Sequence, residues 1–431
     1  MIFILSQYEK SKAMNVETSH FIHQHAEGDV RKLALEAHKY PDVDMPFALQ
    51  QIAGRQTAQR KLPSWASNDE LLYPPHLSME QCSSEQTAQY KAKLAWQCAQ
   101  SDFQNRVGEQ SSTENTALLK ACSLVDLTGG LGVDFSFMAL PFHEAVYVER
   151  QRCLCDIAQH NLPLLGVNQA QVVCCDGEQY LQTMQPATVI YLDPARRNDA
   201  GAKTVAISDC TPNLLSLLVD LLRKSWATLV KLSPMLDWHQ AVVQLNTLSN
   251  CVRQVHIIAV NNECKELLFV LSHRWQSPLA VHCVNNEQTF VFYPQQTVAS
   301  PKMSVPIGSH LIGQYLYEPN AALMKAGCFA EIAQQFQVDK IAPNSHLYVS
   351  RQEVEGFPSR KFRIKAISSM NKKMLKTQLA SIRQANIATR NFPLSVAELR
   401  KRLKIREGGE VYIFATTDVE QNHWLLIGEK L

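Results

Sequence analysis

The 431-residue sequence has no Cys-x-x-Cys pair, no Gly-x-Gly-x-x-Gly segment, no apolar run near membrane length and almost no net charge. The first three absences each close a class. Without paired spacing the twelve cysteines do not read as a structural zinc site, and no metal is expected. Cys153 and Cys155 are one residue apart, Cys174 and Cys175 are adjacent, and the rest are scattered, several in apolar runs where a thiol packs as a small hydrophobe. Crossing a bilayer takes about twenty apolar residues, and Ile2 to Leu5 is too short for a signal peptide. The expectation is a cytoplasmic protein with reduced thiols and no membrane partner. The missing Gly-x-Gly-x-x-Gly spacing speaks against a dinucleotide cofactor.

The balance of charge is +2, which says nothing alone; its distribution says more. From residue 341 to the end there are sixteen Lys/Arg and eight Asp/Glu, so this segment carries +8 and the first 340 residues −6. A basic end on an acidic body suits a polyanionic partner.

At this length one hydrophobic core does not suffice, and 46% apolar with 19% charged residues describes a globular chain of several domains. Residues 28 to 60 have helical apolar spacing (Val30, Leu33, Ala37, Phe47, Ile52), and Ser83 with Gln86 has the form of a capping box before a long helix through Tyr90, Leu94 and Trp96. From Ser123 short apolar runs alternate with helical stretches: Leu124–Leu127, Ala145–Val148, Gln171–Cys174, Thr188–Leu192 and Thr228–Leu232. Such runs indicate a parallel sheet buried on both faces. Gln254–Val260 and Glu266–Leu271, joined at Asn261-Asn262-Glu263, read as a hairpin that adds an antiparallel strand. Smaller α+β units follow, with a helix expected over Asn320–Phe336, helices over Lys372–Arg383 and Ser395–Leu403, and a strand over His346–Ser350.

The segment Leu124-Val125-Asp126-Leu127-Thr128-Gly129-Gly130-Leu131-Gly132-Val133-Asp134 is a strand ending in an acid, then a glycine turn into a helix. Glycines let backbone turn tightly and approach a ligand. Glu149 ends the second strand, where a carboxylate can accept from both hydroxyls of a ribose; Asp176, before Gly177, follows the third, where it can accept from an adenine amino group; Asp193 ends the fourth. One acid after a strand commonly caps a helix. Four in order, all at the carboxyl edge of a parallel sheet, point to a nucleoside-bearing ligand.

On these residues the segment from about 95 to 275 resembles a class I S-adenosylmethionine-dependent methyltransferase. Ser78-Met79-Glu80-Gln81-Cys82-Ser83-Ser84, Asp193-Pro194-Ala195-Arg196, Tyr317-Glu318-Pro319-Asn320 and Arg390-Asn391-Phe392-Pro393-Leu394 extend the likeness to the bacterial family with ferredoxin-like and THUMP-like C-terminal domains. The fold expected is an α/β Rossmann-like sheet. The divisions are a helical region at 1–95, the methyltransferase domain at 96–276, a ferredoxin-like domain at 277–340 and a basic THUMP-like domain at 341–431. The resemblance implies S-adenosylmethionine held by Asp126, Thr128, Gly129, Gly130, Gly132, Asp134, Glu149, Asp176, Gly177 and Asp193. It also implies structured RNA, tRNA or rRNA, as the substrate, since THUMP domains bind RNA in several RNA-modifying enzymes.

Thr128 stands where the family's loop usually has its first glycine, and Ala195 where base-nitrogen methyltransferases carry a second proline after Asn/Asp-Pro. Asp193 and Pro194 are the candidate catalytic pair, accepting hydrogen bonds from a target N–H. Asp-Pro-Ala-Arg also resembles RNA uracil C5-methyltransferases, but those need a cysteine after the next strand, where this chain has Val230-Lys231-Leu232-Ser233-Pro234. A nitrogen target is therefore favoured. Arg196, Arg197, Lys361, Arg363, Arg400 and Arg402 are candidate substrate contacts, since guanidinium and ammonium groups bind phosphate. The alternatives are a methyltransferase of proteins or small molecules, and a non-catalytic RNA-binding protein with a relic cofactor site.

Overall fold

A computed structural model describes residues 15–74, 76–107, 122–196, 207–275, 277–294 and 304–431. The chain forms two compact units. The first runs to Val255 and takes in Glu266–Ser277; the second is His256–Lys265 with Pro278–Leu431.

The first unit opens with helices α1 (Val16–Gln24), α2 (Val30–Leu35), α3 (Met45–Lys61), α4 (Pro63–Ala66), α5 (His76–Gln81) and α6 (Glu85–Val107). The single helical pattern over 28–60 is thus interrupted. Asp44 accepts from the Phe47 amide at 3.2 Å and Pro46, with no N–H to satisfy, sits in the first turn, so a new helix starts there. The capping expectation for α6 also shifts by one residue. Ser84 accepts from the Thr87 amide at 3.4 Å, while Ser83 turns inward and bonds elsewhere.

The sheet then follows: β1 (Ser123–Asp126), α7 (Val133–Met138), β2 (Glu144–Glu149), α8 (Arg152–Leu164), β3 (Ala170–Cys174), α9 (Gly177–Thr183), β4 (Ala187–Leu192), a ribbon of β5 (Ala195–Arg196) and β6 (Cys210–Thr211), α10 (Leu214–Lys224), β7 (Ser225–Leu232), α11 (Trp238–Leu245), β8 (Val252–Val260) and β9 (Glu263–Leu271). Neighbours run β8-β9-β7-β4-β1-β2-β3. The five strands β3, β2, β1, β4 and β7 are parallel and β9 lies antiparallel to β7, with Thr228 opposite Leu271. β4, near the centre, is buried along its whole length, whereas the edge strand β3 is only partly covered. On α10 the leucines 214, 217, 218, 221 and 222 follow helical spacing and are all buried. Each contributes about 2 kcal/mol of transfer free energy.

In the second unit the β8–β9 tip turns at Asn261 and Asn262, both at positive φ (52° and 63°), the conformation of a two-residue hairpin loop. β10 (Ala280–Asn285) and β11 (Gln288–Phe292) form another hairpin. Next come β12 (Tyr315–Pro319), α12 (Ala321–Ala326), α13 (Phe329–Phe336), β13 (Asp339–Lys340), β14 (Tyr348–Ser350), β15 (Ser359–Ser369), α14 (Lys372–Gln378), β16 (Asn386–Arg390), α15 (Val396–Leu403), β17 (Val411–Thr417) and β18 (His423–Lys430). They make a seven-stranded sheet in the order β13-β14-β12-β15-β18-β17-β16. The helix expected over 320–336 is two helices, because Gly327 takes φ 73° and ends the first. The helix expected over 372–383 stops at Gln378.

Candidate active site

β1 ends in Asp126, which is buried under the glycine loop and accepts from the Thr128 amide at 2.9 Å and its hydroxyl at 3.3 Å. Burial pushes the Asp126 carboxyl well above the usual carboxylate range, against the lowering effect of the Thr128 amide. The acid expected to meet the ligand is therefore placed beneath the loop, where it shapes the turn. Thr128, in the first-glycine place, passes the order onward: its hydroxyl accepts from the Asp193 amide at 2.7 Å. A glycine could not make this link between the ends of β1 and β4.

The rest of the loop is fastened to β2. The Gly129 amide donates to the Val148 carbonyl at 2.8 Å, the Gly130 amide to Glu149 Oε2 at 3.0 Å, and the Tyr147 hydroxyl to the Gly130 carbonyl. A Cβ on Gly129 would sit 2.2 Å from the Tyr147 ring. Gly130 and Gly132 have φ of 55° and 83°, and a side chain on Gly130 would meet only the Thr128 carbonyl, at 3.7 Å, in otherwise open space. Across the loop, a Cβ on Gly177 would lie 2.2 Å from the Leu127 carbonyl oxygen, so the turn after β3 packs directly on the turn after β1.

Glu149 is buried; its Oε1 accepts from the Gln151 amide at 2.8 Å. Asp176 caps α9, its Oδ1 accepting from the Glu178 amide at 2.9 Å. Asp193 is partly open, its side chain 37% exposed, and its Oδ2 lies 2.6 Å from Lys231 Nζ. Pro194 follows it at the mouth of the ribbon. Arg196 lies in that ribbon opposite Cys210, and Arg197 falls outside the described residues.

Asp134, the first acid of α7, is buried in a polar network. Its Oδ2 accepts from the Tyr191 hydroxyl at 2.7 Å and the Ser83 hydroxyl at 3.0 Å, and its Oδ1 is 3.1 Å from Lys91 Nζ. Lys91, on α6, is fully buried and donates to both oxygens of Glu266 at 2.8 Å and to Ser83 at 2.9 Å. Burial would raise the Asp134 carboxyl, but Lys91 and Lys231 outweigh it and hold the group below its usual range. Burial raises Glu266, and there the two lysines only moderate the shift. For Lys231 burial would lower the pKa; Asp193, Asp134 and Glu266 reverse it and keep the ammonium protonated above its ordinary range.

Four members of this arrangement escape a reading along the chain, Lys91, Glu266, Tyr191 and Tyr147, and a fifth, Ser83, stands out there only as a helix cap and in the Ser78–Ser84 segment. Glu266 is signalled only by standing at the head of the apolar run Leu267 to Leu271, and Lys91, with Gln89 and Lys93 two residues either side, is not signalled at all. Met79-Glu80-Gln81-Cys82-Ser83 is held in place by Lys61 Nζ, which donates to the carbonyls of Met79, Glu80 and Cys82 at 3.1, 2.6 and 3.1 Å.

The candidate substrate cations fall into two groups. On β15, Lys361 pairs with Glu353 and Lys365 with Glu429, while Arg363 lies 3.8 Å above the Tyr315 ring and donates to its hydroxyl at 2.6 Å. Arg400 donates to the Ala385 carbonyl at 3.2 Å; Arg402 is exposed at the end of α15. Tyr317 and Glu318 are buried: the Tyr317 hydroxyl accepts from the Val354 amide at 2.7 Å, and Glu318 accepts from Arg360 Nε at 2.7 Å and Arg390 at 2.6 Å.

A parallel sheet closed by an antiparallel strand, with a glycine loop after β1 and acids ending β1, β2 and β4, defines the class I S-adenosylmethionine-dependent methyltransferase fold. A family described as a ferredoxin-like domain matches residues 315–358, and one described as THUMP domain-like matches 359–430. The solved structure of the "putative methyltransferase from Porphyromonas gingivalis W83" is 30% identical, covers 96% of this chain and 97% of its own, and superposes with a TM-score of 0.76. The chain belongs to that family: bacterial class I methyltransferases with ferredoxin-like and THUMP-like C-terminal domains. An S-adenosylmethionine-dependent methyltransferase from Agrobacterium tumefaciens is 14% identical over 36% of this chain and 58% of its own, with a TM-score of 0.26. An rRNA methylase from Streptococcus thermophilus is 13% identical over 38% and 97%, with a TM-score of 0.27. Both likenesses are too slight to bear on function. No curated protein matches the sequence. No described helix is long and apolar enough to cross a membrane.

Proposed function

We propose that the chain methylates a base nitrogen in structured RNA, tRNA or rRNA, with S-adenosylmethionine as donor. The residues present suit that donor. Gly130 leaves an open cradle over the loop, Glu149 and Asp176 border it as acceptors for ribose and adenine, and Asp126 and Thr128 hold its floor. S-adenosylmethionine supplies a methyl group on a sulfonium, so the protein's part is alignment.

The observation that carries the acceptor reading is the placement of Asp193. Its amide is tied to Thr128 in the cofactor loop and Oδ2 to Lys231, while its side chain remains over a third exposed. A carboxylate so held can accept from a target N–H and direct the nitrogen lone pair at the methyl group; as N–CH3 forms the S–CH3 bond would break to leave a neutral thioether, and the proton shed by the nitrogen would pass to solvent.

RNA docking is assigned to the THUMP-like region, and pairing narrows it. Residues 370–410 contain ten Lys/Arg and three Asp/Glu, nearly all of the basic excess. Lys372, Lys373 and Lys376 on α14, and Lys401, Arg402, Lys404 and Arg406 on and after α15, are exposed. The β15 cations are instead taken up by acids and by Tyr315. A four-part division, at 95, 276 and 340, belongs to the same proposal, although the ferredoxin-like and THUMP-like matches themselves meet at 358/359.

Mass spectrometry of RNA nucleosides from cells with and without the protein tests this directly: one methylated nucleoside should vanish, and an unchanged profile rejects the RNA substrate. Asp193→Ala should abolish transfer at unchanged donor affinity, whereas Asp126→Ala and Glu149→Ala should weaken donor binding by calorimetry. Deleting 341–431 is a poor test, since it removes β14 and β15, both neighbours of β12. Reversing the charge of Lys372, Lys373, Arg402 and Lys404 should weaken RNA binding and flatten its salt dependence by about one slope unit per lost phosphate contact.

A further inference from the structure

We propose that Lys231 is a positioning residue for methyl transfer, clamping the Asp193 carboxylate by Oδ2 so that Oδ1 stays turned to the acceptor; this rests on the role given to Asp193 above. A lysine at the end of a strand ordinarily extends to solvent. Lys231 does the reverse. Its side chain is 15% exposed, and its ammonium lies 2.6 Å from Asp193, 3.3 Å from the Ser83 hydroxyl and 3.9 Å from Asp134 Oδ2. Those partners are themselves immobilised: Ser83 and Asp134 are bonded to each other and to Lys91, which is anchored on Glu266. Asp193 by itself is a partly exposed side chain with freedom to turn. The rigidity of its bond to Lys231 comes from β7, α6 and β9 together.

The clamp also bears on the substrate class. Among the described residues the cluster holds two ammonium groups and three carboxylates, an excess of one negative charge, the sign that suits a cationic sulfonium. A carboxylate paired with an ammonium accepts and does not donate hydrogen bonds. The base it can hold is therefore one that presents an N–H to Asp193, an exocyclic amino group or a ring N–H.

The test uses the full-length protein with Lys231→Met and Lys231→Arg, tritiated S-adenosylmethionine, and total RNA from cells lacking the protein. Lys231→Met is expected to lower kcat about 100-fold, the cost of a roughly 1 Å misplacement, with donor affinity within about threefold of wild type. Lys231→Arg, which keeps the charge, should recover a large part of kcat. Wild-type kcat in Lys231→Met overturns the proposal, as does a joint loss of donor affinity and kcat, which marks a merely structural role. If Lys231→Met does not fold, Lys231→Gln serves with the same expectations. If wild-type protein transfers no methyl to RNA, the RNA reading fails separately. The clamp is then judged by crystallography of Lys231→Gln: an Asp193 side chain turned from its place supports it, and one unmoved overturns it.

Discussion

Replacing Lys91 by methionine isolates the energetics of the buried charge cluster. The substitution keeps the stem and removes the ammonium, which is fully buried and contacts Glu266 twice at 2.8 Å, Ser83 at 2.9 Å and Asp134 at 3.1 Å. Glu266 is then left as a 3%-exposed carboxylate without its cation. Breaking a buried pair from one side costs about 3–5 kcal/mol, because the orphaned charge remains desolvated. Proton uptake by Glu266, already biased upward by burial, limits the loss, so about 3 kcal/mol is expected near neutral pH. At about 2–4 °C per kcal/mol for a unit of this size, the melting temperature should fall by roughly 6–12 °C. The partner experiment is Lys91→Met with Glu266→Leu, which removes both charges; it should be more stable than Lys91→Met alone, since an apolar replacement of a buried pair is often neutral. Urea titrations of the four proteins give the coupling energy as a double-mutant cycle. A Lys91→Met protein within about 1 kcal/mol of wild type, or a double variant weaker than the single, refutes the argument.

Other substitutions probe the loop and the second unit. Gly129→Ala places a methyl 2.2 Å from the Tyr147 ring, so the ring must shift and release the Gly130 carbonyl; a stability loss of about 1–3 kcal/mol and at least a roughly tenfold weaker donor affinity are expected by calorimetry. For Asp126 the folded pKa is raised, so its protonation favours the fold: that stability is present below the unfolded value near 3.9 and is lost as pH rises through the folded value. Asp126→Asn does not ionise, and its advantage over wild type should grow from pH 4 towards pH 8; parallel stability curves would reject the burial argument. Glu318→Gln removes the carboxylate shared by Arg360 and Arg390, whose side chains are 38% and 32% exposed and can rehydrate. The loss should therefore be only about 1–2 kcal/mol by denaturant titration, and a value above about 4 kcal/mol would mean the arginines cannot reach water.

The loop and the strand-end acids were legible along the chain because they are local. A strand, a tight turn and a helix start are read within a dozen residues, and positive φ at Gly130 and Gly132 is what glycine permits there. The parallel strands were legible for the same reason, since burial on both faces writes itself as a continuous apolar run. Helix ends were less so. Asp44, Ser84 and Gly327 each terminate or restart a helix through one side chain or one dihedral, a choice that several neighbouring residues could have made.

What the tertiary structure alone decided is which charges meet. Lys91 and Glu266 are 175 residues apart, and Lys231 and Asp193 38 apart; no spacing rule joins them. Asp134 follows the glycine loop in sequence, and its partners, Tyr191 and Ser83, come from positions 57 and 51 residues away. The basic stretch at 360–365 is conspicuous in sequence but is paired with acids and Tyr315 once β15 lies in its sheet. A sequence records how many charges there are and how they repeat. Burial and distance fix what each one faces, because only a folded core removes the water that would otherwise screen them.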